Sequence, residues 1–109
     1  MDDREREALS LMREHGRQAV AWAREAGSAW TDDPKTVAAV AQAVGQVGEA
    51  ARRVSTATRA ASADIAWAAI VGMRNRIYQQ YGSLDVAILR ETVARDLSAL
   101  LKRLDAMLR

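Results

Sequence analysis

Apolar residues in this chain return at steps of three and four in four successive segments, and nowhere do they alternate for long enough to make a useful strand. Leu9, Met12, Gly16, Ala19, Val20 and Ala23 form one stripe between about Asp3 and Ala26. Val37, Val40, Val44, Val47, Ala51 and Val54 form a second, on a helix predicted from Pro34 to about Thr58. Ile65, Ile70, Met73 and Ile77, flanked by Trp67 and Val71, form a third from about Ile65 to Gln80. Val86, Leu89, Val93, Leu97, Leu100, Leu101, Leu104 and Leu108 form the fourth, from near Ser83 or Asp85 to the end. A helix with one apolar stripe must bury it against another such stripe. The pattern predicts an all-α, antiparallel four-helix bundle occupying residues 1–109 as one domain.

Three breaks separate the stripes. In "GSAWTDDPK", Asp33 followed by Pro34 reads as an N-cap and first helical residue. In "STATRAASAD", Asp64 is expected to cap the third helix. In "YGSLD", Gly82 is expected to end it in the left-handed region. Gly45 and Gly48 lie close to the second stripe. Each costs a helix about 1 kcal/mol relative to alanine, so a packing reason is expected: another element should come close there.

Phenylalanine is absent and alanine abundant, so the core of a 109-residue chain will be thin, and a second subunit would help to cover it. Oligomerisation is therefore expected. There is no cysteine, and His15 is the only histidine, so no thiolate site and no zinc cluster are expected, nor any cofactor. A lone helical histidine is more often structural than catalytic. The formal charge of +2 is too small to argue for nucleic-acid binding, although 14 of the 16 basic residues are arginine. No run is long and apolar enough for a membrane span, and the start "MDDRERE" lacks the apolar region of a signal peptide, so a cytoplasmic protein without membrane contact is expected.

The stretch "GMRNRIYQQY", residues 72–81, is the densest in polar chemistry. Helical steps of four and seven would put Arg74, Tyr78 and Tyr81 on one side, away from the Ile70, Met73 and Ile77 side. On periodicity alone this is a solvated helix face. The order of residues says more. "GEAARRVS" (48–55) followed by "DIAWAAIVGMRNRIYQQYGSLDVAILRETVARDLSALLKRLDAML" (64–108) resembles the HepT toxins of the HEPN superfamily, small helical ribonucleases of prokaryotic toxin–antitoxin pairs. The resemblance rests on Gly48–Glu49–Ala50, Ile65 and Trp67, Gly72–Met73–Arg74–Asn75, Tyr81 and Asp85. The first helix shares only its amphipathic character.

The resemblance implies metal-independent RNA cleavage, in which a ribose 2′-oxygen attacks the adjacent phosphate while other groups accept and return a proton. It implies Arg74 as the phosphate-binding arginine, Asn75 as a site residue, and Tyr81 as the tyrosine on which an MntA-like nucleotidyltransferase antitoxin places AMP. It also implies a homodimer whose two motif copies line one cleft, with tRNA or mRNA as substrate. Arg76, with Arg52 and Arg53, could add positive field there, or be plain surface. The family's histidine falls on Gln79, which hydrogen-bonds but carries no proton at neutral pH. Activity in this chain is therefore expected to be weak or lost. The amide could be an inactivating substitution or the mark of an inactive homologue. Otherwise Tyr78, Tyr81 or a neighbouring chain's His15 could act instead. The alternative function is a non-catalytic HEPN-like module that binds RNA, nucleotide or the transferase; a helical dimer with only a structural role is a third.

Overall fold

The computed structural model describes residues 1–109 and is all-helical. α1 spans Asp3–Ala26 and α2 spans Pro34–Ala51, joined through a short 3-10 turn at Trp30–Asp32. Three short helices follow, α3 (Thr56–Ala61), α4 (Trp67–Val71) and α5 (Met73–Ile77). The chain ends in one long rod made of α6 (Val86–Glu91), a π-helical segment over Thr92–Leu97, and α7 (Ser98–Met107). α1, α2, the α4–α5 pair and the rod are the four members of an antiparallel bundle, and α3 is an extra turn between the second and third. No helix is long and apolar enough to cross a membrane.

All four stripes face one shared core. Leu9, Met12, Val40, Val44, Val47, Ile77, Leu89, Leu97 and Leu104 are fully buried in it. Each such aliphatic side chain contributes about 1.5–3 kcal/mol relative to exposure. Trp67, expected only to flank the core, is buried too, its indole N–H donating to Ser62 O at 3.1 Å.

The second helix stops earlier than its pattern suggests. α2 ends at Ala51, and Ser55 caps α3 by accepting the Thr58 N–H at 3.2 Å. Arg59 explains why the break is stable: it donates to Ala51 O at 2.9 Å and to Val54 O at 3.0 Å, supplying partners to carbonyls that a continuing helix would have satisfied. Its guanidinium also lies 5.9 Å from the Trp67 ring centroid. Glu5 of α1 accepts the Ser55 N–H at 2.7 Å, and Ser55's hydrogen bonds draw its carboxyl down from 4.5 to about 2.

Asp64 does not cap the third helix. Its carboxylate pairs with Arg103 of α7 at 2.6 Å, which holds its pKa below the ordinary carboxylate value, and α4 begins without a side-chain cap. Asp33 and Pro34 do stand at the N-cap and first position of α2; the Asp33 carboxylate accepts from the Thr36 hydroxyl at 2.6 Å.

The rod is not uniformly α-helical. Within it Thr92, fully buried, turns its hydroxyl back to Ile88 O at 2.8 Å. The wider π turn suits the sequence there, because Leu89, Val93 and Leu97 are spaced by fours and all three are buried. The same segment carries Asp96 to Arg76 of α5, at 2.9 Å.

Candidate functional site

The third segment does not run to Gln80 as one helix. Gly72 interrupts it between α4 and α5, and α5 ends at Ile77. From Tyr78 the backbone is extended, and Tyr78 pairs with Leu84 across a small hairpin. The Gln79 N–H donates to Ser83 O at 2.7 Å, the Gly82 N–H to Gln79 O at 2.9 Å, and the Asp85 N–H to Ile77 O at 2.7 Å. Gly82 has φ +89°, so it takes the left-handed position of a three-residue hairpin loop rather than closing a helix. Asp85 then caps α6, accepting the Ile88 N–H at 3.1 Å.

This correction redistributes the site residues. Arg74, Asn75 and Arg76 are on α5 and exposed; Gln79 and Tyr81 are on the hairpin loop. The aromatic ring against Arg74 is Tyr78, with the guanidinium carbon 5.7 Å from its centroid. Tyr81 projects at the tip of the loop, 79% exposed. Arg74, Tyr78 and Tyr81 are therefore not three rungs of one helix face: both tyrosines lie beyond the end of α5, and only the Tyr78 ring meets Arg74.

Arg74 is seated rather than loose. A methyl group built on Gly45 of α2 would lie 3.6 Å from Arg74 Cδ, so the arginine stem runs over the bare backbone of α2 at that glycine. Tyr78 adds a cation–π contact, worth about 0.5–1 kcal/mol at an exposed site. No carboxylate pairs with Arg74, whereas Arg76, two residues on, is committed to Asp96. Of the two arginines in the motif, Arg76 is the one engaged by a carboxylate.

Gly48 does the neighbouring packing work. A β-carbon there would come within 2.9 Å of Ile70 O and 3.2 Å of Val71 O, so α4 rests directly on α2 at this residue. Gln79 is exposed; Ser83's hydroxyl reaches its side-chain oxygen at 3.4 Å. His15 is on α1, half-buried beside Gln18 and close to Gln46, Glu49, Arg52 and Arg53 at the far end of α2. Arg74 is not among the residues that line this hollow. No cluster of three or more metal-ligating side chains forms. Sequence reasoning missed Gly45 as the seat of the arginine; its only signal was a glycine that a helix should not want.

The bundle and this surface define a small all-α protein that presents an unpaired guanidinium against an aromatic ring, with an amide and a phenol exposed on the loop that follows. Such a surface suits phosphate esters. The chain belongs to the HepT-like ribonuclease family, whose model, described as "Ribonuclease HepT-like", matches residues 7–107. No curated protein and no solved structure matches it.

Proposed function

We propose that this chain is a HepT-type toxin of a toxin–antitoxin pair, able to bind RNA but poorly able to cut it. The observation that carries this reading is the seated, unpaired guanidinium of Arg74 next to a loop whose family histidine position is Gln79. Cleavage of the family type forms a bond from the 2′-oxygen to phosphorus and breaks the bond from phosphorus to the 5′-oxygen. The 2′-hydroxyl loses a proton and the leaving oxygen gains one. Arg74 would hold the phosphate and offset the charge that builds on its oxygens. Asn75, exposed beside it, would orient the phosphate, and Arg76, though paired with Asp96, would add to the positive field. Gln79 can orient but cannot shuttle the proton. Two chains pairing would bring two copies of this surface to one cleft.

The test is RNA affinity as a function of salt. The parent is expected to bind single-stranded RNA with a salt-dependent affinity, and Arg74→Ala to weaken binding and flatten the slope of log affinity against log salt by about 1. An Arg74→Ala chain with unchanged affinity and slope overturns the reading.

Tyr81 is where an MntA-like nucleotidyltransferase would attach AMP. Its phenol is out in solvent and its loop is held by backbone hydrogen bonds. The added phosphates would compete with RNA for Arg74. Tyr81→Phe is expected to abolish nucleotidyl transfer by the partner, read as a mass increase. The same increase on the variant refutes the assignment.

The second reading, a non-catalytic module that binds RNA or sequesters the transferase, is favoured by Gln79 alone. It predicts Arg74-dependent binding that no histidine at 79 converts into cleavage.

A further inference from the structure

Beside the Arg74 surface lies a groove that nothing above uses. It is an open hollow of about 460 Å³ between the start of α2 and the hairpin, lined by the apolar Val37, Ala41, Leu84 and Val86 and by Tyr78. Thr31, Asp32 and Gln42 supply its polar groups.

We infer that this groove is a nucleobase subsite, seating one unstacked base of the RNA whose phosphate Arg74 holds. The inference rests on the RNA reading given above and extends it from the phosphate to the base. Tyr78 is shared between the two places: its ring lies against the Arg74 guanidinium, and the same side chain walls the groove. A nucleotide whose phosphate sits on Arg74 would meet Tyr78 as the shared element between the arginine and the groove.

The chemistry of the lining selects the base rather than a second phosphate. Val37 is buried and the floor is apolar, which suits a flat uncharged ring. The Asp32 carboxylate at the rim repels a phosphate. Gln42 offers an amide with both a donor and an acceptor, the pattern that a base edge requires. Single-stranded RNA is recognised in general by such unstacked bases lodged against aromatic side chains.

The experiment compares two probes: a short single-stranded RNA and the same oligomer with all bases removed, leaving the sugar–phosphate backbone. Both are titrated against the full chain. The parent is expected to bind the base-bearing oligomer about 5- to 140-fold more tightly, the range that one stacked base gives. Ala38→Trp and Gln42→Trp fill the groove from two exposed positions of α2. Each is expected to bring affinity for the base-bearing RNA down towards that for the abasic RNA and leave the abasic affinity unchanged. Two variants guard against one failing to fold, and circular dichroism checks each. Equal binding of the two oligomers by the parent overturns the subsite while leaving the Arg74 reading intact, and so does an undiminished preference in either folded variant. Absence of Arg74-dependent binding to either oligomer overturns both.

Discussion

Replacing Gln79 by histidine is expected to raise the rate of RNA cleavage by about 10²–10⁴, the usual worth of a positioned general acid–base group. An imidazole titrating near neutral pH can take the 2′-hydroxyl proton and give one to the leaving oxygen, whereas the amide can do neither. The fold gives this substitution room. Gln79 is exposed, and its backbone bonds to Ser83 and Gly82 do not involve the side chain. Stability is expected to change by no more than about 0.5 kcal/mol. The measurement is single-turnover cleavage of labelled RNA, with Arg74→Ala made in the Gln79→His chain as control. The gain should depend on Arg74 and on pH around the histidine pKa. Equal, strong, Arg74-dependent cleavage by parent and variant would show that another group moves the proton.

Gly48→Ala should cost about 1–3 kcal/mol in urea unfolding, the usual penalty for overpacking. This is the opposite of what helix propensity predicts, since alanine in place of a helical glycine should gain about 1 kcal/mol. Packing wins because the obstacle is backbone. The new β-carbon would sit 2.9 Å from Ile70 O and 3.2 Å from Val71 O, and a carbonyl in a helix cannot rotate aside as a side-chain tip can. α4 would have to lift from α2, and α5 with Arg74 would follow. Weaker RNA binding should therefore accompany the loss of stability. Gly45→Ala is the contrast, because there the nearest atom is Arg74 Cδ at an ordinary 3.6 Å. A Gly48→Ala chain as stable as the parent, or more so, would mean that α4 does not rest on α2 as described.

The stripes were legible because burial by threes and fours leaves a mark in the residues themselves, and every aliphatic named for the second helix is buried. The ends of the elements were not. Nothing local to Thr56–Thr58 forbids a longer second helix; the break is held by Arg59 reaching back to Ala51 and Val54. Likewise Tyr78, Gln79 and Gln80 do not forbid a helix. They leave it because the Asp85 N–H finds Ile77 O and Tyr78 pairs with Leu84, contacts that arise only when the chain turns back. The residues of the motif were readable from their order, and the division between a seated arginine on α5 and an outlying loop was not. Gly45 and Gly48 announced a close approach without saying that one receives a side chain and the other a backbone.

The C-terminal rod shows what a single surplus residue can do. The rod lies between α1 and the third member of the bundle along its length: Arg90 reaches Ser28 O just past α1, Asp96 pairs with Arg76 of α5, and Arg103 pairs with Asp64. The π segment inserts a phase offset between the two halves, so the residues that face the core change register across Thr92–Leu97. Alignment of its two ends by heptad counting will slip by one position, and the slip falls at the buried Thr92.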